Sequence, residues 1–190
     1  MKRLLIVVDY QNDFVEGSLG FPGAEGLDAP IAAKIAAYRE TGDQVAFTLD
    51  THQADYLKTQ EGKNLPVAHC LAGSKGHELY GTVAHLREDG DQLFLKPAFG
   101  SVSLFEWLMC AQNAAAVVNK LPFTSIELVG LVSNICVISN AVIAKTACPE
   151  VPIIVDAACT ASFDASLNEK CLDVMEGLQI EVVNRELSCK

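Results

Sequence analysis

Residues 127–137, ELVGLVSNICV, decide the fold of this chain. With the two residues before it, the first part is a short apolar run rich in β-branched side chains, which predicts a strand over residues 125–129. Gly130 interrupts the run, and Ser133 is a suitable N-cap for a following helix. Cys136 then lies in the first turn, where unpaired backbone amides and the helix dipole favour an anion. The stretch fits two interpretations equally well: a nucleophilic thiol with a lowered pKa, or a buried apolar cysteine.

Strand and helix patterns alternate along the whole chain. Such alternation is typical of βαβ units and predicts the α/β class, with a doubly wound, mostly parallel six-stranded sheet and helices on both faces. The length of 190 residues suits one domain over residues 1–190. The predicted strands cover residues 4–8, 44–49, 92–95, 125–129, 152–155 and 180–183, and the predicted helices cover residues 29–39, 103–120, 134–147 and 165–176.

Two segments carry further local signals. Ser103 is the predicted N-cap of the helix over residues 103–120, and Glu106 occupies the capping-box position. Residues 51–76 are polar and contain several turn residues, so they predict a long loop. Long loops inside compact domains are usually functional or disordered, and this one holds two of the four histidines.

Composition limits the classes of partner. The formal net charge of -10 argues against nucleic acids and anionic membranes, because nothing offsets phosphate repulsion. The seven cysteines have no CxxC spacing, which indicates free thiols in a reducing compartment and hence a cytoplasmic protein. The apolar run at residues 4–8 is too short for a signal peptide and is ended by Asp9.

Reactive side chains follow four of the predicted strands. Asp9, Asp50 and Lys96 come directly after the first three strands, and Cys136 lies just beyond the fourth. Ligands of open α/β sheets bind beyond the carboxyl ends of the strands. We therefore expect these four residues to meet at one edge of the sheet.

Three motifs resemble a known family. DYQNDF at residues 9–14, KP at 96–97 with FGS at 99–101, and GLVSNICV at 130–137 are similar to the signatures of isochorismatase-like cysteine hydrolases. The nicotinamidase/pyrazinamidase branch is the most similar, and the resemblance covers the whole chain. It implies a doubly wound α/β fold, which agrees with the pattern of strands and helices.

The resemblance implies a catalytic triad of Asp9, Lys96 and Cys136. The Lys96 cation would favour both the carboxylate and the thiolate, and Asp9 could take the thiol proton and later deliver it to a leaving amine. The family also has a cis peptide ahead of the cysteine, here between Leu131 and Val132. It implies an oxyanion hole formed by the amides of Val132 and Cys136.

The resemblance also implies a metal site. Asp50 and His52 lie two residues apart on an extended segment, so their side chains point the same way. His69 is similar to the third ligand of nicotinamidases, and Glu61 is a candidate fourth ligand. The implied cofactor is a divalent metal, with zinc the first choice and manganese or iron as alternatives. By themselves, the two loop histidines would favour a capping or solvating role over metal binding.

Departures from the family pattern bear on the substrate. Nicotinamidases usually carry tryptophans where this chain has Thr51 and, with a one-residue offset, Leu65 or Pro66. Phe14 and Phe99 would then form the apolar wall of the substrate site, while the single Trp107 fits a helix core. His77 and His85 fit surface or structural roles. The remaining cysteines are interpreted as buried apolar residues or exposed bystanders: Cys70, Cys110, Cys148, Cys159, Cys171 and Cys189.

The sequence therefore predicts a metal-containing cysteine amidohydrolase that cleaves a small carboxamide through a thioester. The best single substrate is nicotinamide, which would place the enzyme in NAD salvage. Two alternatives stay open: a cysteine hydrolase of another small amide or carbamoyl compound, and a non-catalytic binding protein with an inherited pocket. The resemblance also implies a homo-oligomer, either a dimer or a tetramer.

Overall fold

The central element is a six-stranded sheet in which every pair of neighbouring strands is parallel. The fold is taken from a computed structural model, which describes residues 2–185. The strand order is β3-β2-β1-β4-β5-β6. The strands are β1 Leu4–Val8, β2 Gln44–Asp50, β3 Gln92–Lys96, β4 Ile126–Leu131, β5 Ile153–Ala161 and β6 Glu181–Val183.

Helices cover both faces of the sheet. Leu4, Ile6 and Val8 of β1 belong to one apolar core, which also contains buried residues of α5, α6 and α7. Leu5 and Val7 point to the opposite core, which contains buried residues of α2 and α4. This alternation confirms the predicted doubly wound α/β architecture. The helices are α1 Asn12–Val15, α2 Asp28–Glu40, α3 Gln60–Asn64, α4 Gly81–Leu86, α5 Val102–Val117, α6 Ile138–Ala147 and α7 Ala165–Gly177.

Three local predictions are corrected. The N-cap of α5 is Ser101, whose hydroxyl accepts a hydrogen bond from the Leu104 amide, so Ser103 is not the cap. β5 runs to Ala161, six residues beyond its predicted end at residue 155. Residues 51–76 are not a plain loop, because they contain α3 and a short 3₁₀ turn at Tyr56–Lys58. None of the helices within residues 2–185 is long and apolar enough to cross a membrane.

The order of the strands reverses between β1 and β4, and this places a crevice beyond their carboxyl ends. Val8 of β1 lies opposite Gly130 of β4. Gly130 has a φ of +110°, and a Cβ at this position would overlap the backbone carbonyl of Val8. Glycine therefore allows the two strands to approach closely at the point where Asp9 and Leu131 enter the crevice.

Candidate active site

Asp9, Lys96 and Cys136 meet at the carboxyl edge of the sheet, as their positions after β1, β3 and β4 predict. Lys96 Nζ lies 2.6 Å from Asp9 Oδ2 and 3.5 Å from Cys136 Sγ. All three side chains are buried. The ammonium group also lies 3.3 Å from Asp50 Oδ1 and donates to the Ala98 carbonyl at 3.0 Å. The arrangement brings an acid, a cation and a thiol within reach of one another.

Thr48 holds the Asp9 carboxylate from the side opposite Lys96. Its hydroxyl donates to Asp9 Oδ1 at 2.6 Å, and Thr48 is fully buried in β2. Asp9 itself has a φ of +45°, a left-handed conformation that aspartate tolerates better than most residues. The sequence analysis missed Thr48, because a threonine in a strand is indistinguishable from an ordinary β-branched residue.

Cys136 lies in a π-helical turn, Ser133–Val137, that precedes α6. The predicted Ser133 cap is wrong, because its hydroxyl donates to Asn168 Oδ1 of α7 at 2.6 Å. In this turn the amides of Ile135 and Val137 both donate to the Val132 carbonyl. The peptide bond between Leu131 and Val132 is cis, as the family resemblance implied.

Asn140 connects the Ser133–Val137 turn to the segment after β3. It is fully buried on α6, and its side-chain amide donates to the carbonyls of Cys136 at 2.8 Å and Phe99 at 3.1 Å. Its Oδ1 accepts from the Ser101 amide at 3.0 Å. The sequence analysis did not identify Asn140, because a residue four positions after Cys136 on a helix has nothing in its spacing that indicates this role. The side chain fixes Cys136 relative to the segment that carries Lys96.

Burial reverses the expected pKa shift of the thiol. Burial raises the pKa of Cys136 well above its ordinary value, and the Asp9 carboxylate raises it further, while the Lys96 ammonium lowers it. The predicted lowering of the pKa is therefore wrong. Complete burial also raises the pKa of Asp9, against the opposing charge of Lys96. The site therefore favours the protonated thiol, beside a carboxyl group whose affinity for protons is raised by burial.

Lys96→Met is expected to destabilise the protein as well as to perturb the site. Removing the cation leaves the Asp9 and Asp50 carboxylates facing each other in a buried site, which typically costs ~3–5 kcal/mol. The thiol should also titrate at a still higher pH, because the Lys96 ammonium lowers its pKa. Urea unfolding measures the first effect, and the pH dependence of thiol alkylation measures the second.

Lys170→Met is the matched control, since Lys170 is an exposed residue of α7. Its free energy of unfolding should stay within about 0.5 kcal/mol of the wild type. An unchanged unfolding curve for Lys96→Met would show that the buried ion pairs contribute little to the fold, and an unchanged thiol titration would separate Lys96 from Cys136.

A cluster of three buried potential metal ligands adjoins these residues. One ligand atom each of Asp50, His52 and His69 lies within 4.8 Å of the others. Asp50 Oδ2 is 3.0 Å from His52 Nε2 and 3.2 Å from His69 Nε2. Glu61 Oε1 lies 3.6 Å and 3.8 Å from the same two nitrogens. Two imidazole nitrogens and two carboxylates suit zinc, manganese or iron.

Contacts around the cluster orient a histidine ring and keep a carboxylate charged, and both effects suit the binding of a cation. His69 Nδ1 lies 2.8 Å from the Val67 carbonyl, a contact that turns Nε2 towards the cluster. Burial would raise the pKa of Asp50, but hydrogen bonds from His52 and His69 together with the Lys96 charge keep that pKa below its ordinary value. Asp50 is therefore a carboxylate at neutral pH.

The DYQNDF segment supports the metal cluster through its other polar side chains. Gln11 accepts from the Asp50 amide at 2.8 Å and donates to the Asp50 carbonyl at 2.9 Å. Asp13 Oδ2 accepts from the amide of Cys70, the residue after His69, at 2.7 Å. The sequence analysis used this motif for recognition and assigned only Asp9 and Phe14. Gln11 and Asp13 fix the backbone of two ligand-bearing segments.

A cavity of about 740 Å³ opens onto the thiol and the metal cluster. Cys136, Asp50, His69 and Glu61 contribute to its lining, and so do the predicted aromatic residues Phe14 and Phe99. Leu65, at one of the positions where the family carries tryptophan, also lines it. Trp107 packs between Phe94 and Phe123 instead, with ring centroids 5.7 Å and 5.8 Å away, as expected of a core residue.

Within residues 2–185, the remaining histidines and cysteines occupy surface, structural or buried apolar positions, as predicted. His77 Nε2 lies 2.8 Å from the Thr51 hydroxyl, and His85 is exposed. Cys110 is exposed, and the predicted Cys189 lies outside the described residues. The other four cysteines are buried free thiols: Cys70, Cys148, Cys159 and Cys171.

Comparisons with known proteins agree with this architecture. The model of the isochorismatase domain matches residues 3–186. An uncharacterized isochorismatase family protein of Bacillus subtilis (strain 168), PncA, is 33% identical over 90 residues, which are 45% of this chain and 48% of that protein. The match thus spans about half the length of this curated relative.

Solved structures match over nearly the full chain. The nicotinamidase PncA from Bacillus subtilis has a TM-score of 0.79 at 27% identity, covering 96% of this chain and 99% of that one. The pyrazinamidase of Pyrococcus horikoshii in complex with zinc has a TM-score of 0.79 at 21% identity, covering 97% and 100% of the two chains. At that identity the second likeness is one of fold.

Proposed function

Because the chain belongs to the isochorismatase family, we propose that it is a metal-containing cysteine amidohydrolase that cleaves a small carboxamide, with nicotinamide the best single substrate. The observation that carries this proposal is the position of Lys96 Nζ, 2.6 Å from Asp9 Oδ2 and 3.5 Å from Cys136 Sγ, beside the cavity. The carboxylate can accept the thiol proton, and the buried cation stabilises the thiolate that results.

The proposed reaction proceeds through a thioester. Asp9 accepts the thiol proton while Cys136 Sγ attacks the amide carbon, and the amides of Val132 and Cys136 donate to the resulting oxyanion. The tetrahedral intermediate collapses with cleavage of the C–N bond. Asp9 returns the proton to the departing nitrogen, which leaves as ammonia. Asp9 then takes a proton from a water molecule that attacks the thioester. The C–S bond breaks, Asp9 returns the proton to Cys136 Sγ, and the carboxylic acid is released.

Asp50, His52, His69 and Glu61 are the proposed ligands of a divalent ion. A bound ion with open coordination positions supplies Lewis acidity and orients a substrate or a water molecule. The donor set fits such an ion, since it combines two imidazoles with two carboxylates in a buried cluster. Zinc as the ion, a homo-oligomeric assembly and a cytoplasmic location are further parts of the proposal.

Release of ammonia from nicotinamide is the experiment that tests this function. We expect nicotinate and ammonia in equal amounts, and the same assay should be run on other carboxamides and on N-carbamoyl compounds. Turnover confined to another amide or to a carbamoyl compound would support the first alternative. Binding of a carboxamide without any ammonia release would contradict the hydrolase proposal and favour a binding protein.

Thr48→Val is expected to move the acid limb of the pH profile. The Thr48 hydroxyl lowers the pKa of Asp9, so its loss at nearly constant volume should raise that pKa. Asp9 must be ionised to accept the thiol proton, and activity should therefore fall at a higher pH than in the wild type. The measurement is kcat/KM as a function of pH, which reports groups of the free enzyme.

The matched control for this variant is Thr146→Val on α6, whose hydroxyl donates to its own helix at the Val142 carbonyl. Its pH profile should superimpose on that of the wild type. If the acid limb of Thr48→Val also stayed in place, the group that sets this limb would not be Asp9.

A further inference from the structure

The cavity is larger than one pyridinecarboxamide requires. Its volume of about 740 Å³ lies in the upper half of the range of ~300–1,000 Å³ typical of pockets for drug-sized ligands. The thiol and the metal cluster supply only part of the lining, so a substrate bound to them leaves the rest of the cavity to be filled. The character of that remaining surface determines what can fill it.

The remaining wall is mostly apolar, although Ser18, Gln60 and Asn64 also line it. Each segment after the strands β1 to β5 supplies at least one apolar residue, among them Phe14, Leu65, Phe99, Ile135 and Phe163. Phe99 is 47% exposed and Phe163 is 62% exposed, which is unusual for large apolar side chains. Phe21 packs edge-on against Phe163, with the two ring centroids 6.4 Å apart. Burial of these rings by a ligand would be favourable.

Within the described part of the chain, the lining contains no lysine or arginine that could pair with a negatively charged substrate. Among the described residues that line the cavity, the charged side chains are Asp50 and Glu61, and neither lysine nor arginine is present. Lys96 lies behind the thiol, where its ammonium is already paired with Asp9 and Asp50. Away from the proposed metal site, a carboxylate on the substrate would lose its hydration without gaining a cationic side chain.

We propose that the substrate is an uncharged carboxamide whose acyl part carries a second apolar group, such as an aryl ring, that lies against Phe99 and Phe163. This inference rests on the proposed amidohydrolase function and specifies its substrate class. The amide end faces Cys136, and the apolar extension fills the part of the cavity that nicotinamide leaves open.

Three amides test this inference: nicotinamide, a phenyl-substituted nicotinamide, and the same compound with a carboxylate on the phenyl ring. We expect kcat/KM for ammonia release to rise about tenfold or more with the phenyl group, from burial of its apolar surface. The carboxylate should reverse this gain. Calorimetric affinities for the inactive Cys136→Ser variant should follow the same order, and they provide a readout that does not depend on turnover.

Phe163→Ala tests whether the cavity wall causes the preference for the phenyl-substituted amide. The ratio of kcat/KM for the phenyl-substituted amide to that for nicotinamide should fall several-fold in this variant. Val117→Ala is the control, since Val117 is 86% exposed on α5 and does not line the cavity; its ratio should match the wild type.

Two sets of results would overturn the inference. The enzyme could process and bind nicotinamide as well as the phenyl-substituted amide, or better. That result would contradict the substrate class and leave the amidohydrolase proposal standing. An unchanged ratio in Phe163→Ala together with a change in oligomeric mass would show that Phe163 covers a subunit contact instead. Absence of ammonia from all three amides would contradict the proposed function, while the binding series would still test the preference.

Discussion

Cys136→Ser is expected to lower turnover by at least about 10⁴-fold, the scale on which removal of a catalytic nucleophile acts. The serine hydroxyl ionises at a far higher pH than a thiol, and Asp9 cannot take its proton as readily, even with a pKa raised by burial. The side chain keeps nearly the same volume inside the apolar core that contains Cys136. The variant should therefore fold, with a melting temperature within a few degrees of the wild type.

Steady-state ammonia release and thermal unfolding measure the two halves of this prediction. Cys110→Ser is the matched control, because Cys110 is an exposed thiol on α5 and should tolerate the change without loss of activity. Near-wild-type turnover in Cys136→Ser would place the chemistry elsewhere. A failure to fold would be separated from a loss of chemistry by the unfolding curve.

His52→Ala is expected to remove the bound ion and to lower turnover by at least about 100-fold, since even the partners of metal ligands contribute 10–100-fold. Elemental analysis should show about one divalent ion per wild-type chain and little in the variant. Chelation of the wild type should have the same effect on activity. The chain should remain folded with a lower melting temperature, because an ion that binds only the folded protein stabilises it and its loss removes that contribution.

His85→Ala provides the comparison, because His85 is exposed and belongs to no ligand cluster among the described residues. It should keep both its metal content and its activity. Full activity in a wild-type preparation without stoichiometric metal would overturn the metal proposal. Collapse of the fold upon chelation would instead assign the ion a structural role.

Local sequence patterns were sufficient to predict a strand or helix whose own residues are mostly apolar. β1 was predicted with the bounds that the structure has, because it is a continuous apolar run, and β2, which is apolar from Val45 to Leu49 apart from Thr48, differs by one residue. The meeting of Asp9, Lys96 and Cys136 followed from the rule that the ends of parallel strands share one edge. These features need no knowledge of distant contacts.

Contacts between distant residues decided what the sequence could not predict. β5 continues through Asp156 and Thr160, polar residues that are buried because Lys34 pairs with the first and the Gly130 carbonyl accepts from the second. Ser133 looked like a helix cap, but its partner is Asn168 of α7. The pKa of the thiol depends on burial and on Asp9, neither of which is visible in the residues around Cys136.

The close approach of β1 and β4 at Gly130 limits how this protein can evolve. A side chain there would overlap the carbonyl of Val8 and push apart the two strands that lead to Asp9 and Cys136. The walls of the cavity come from separate connections, which can change without moving those strands. New substrate preferences can therefore arise by replacing loop residues while the chemistry is inherited, and libraries for laboratory evolution should vary the loops and keep Gly130 fixed.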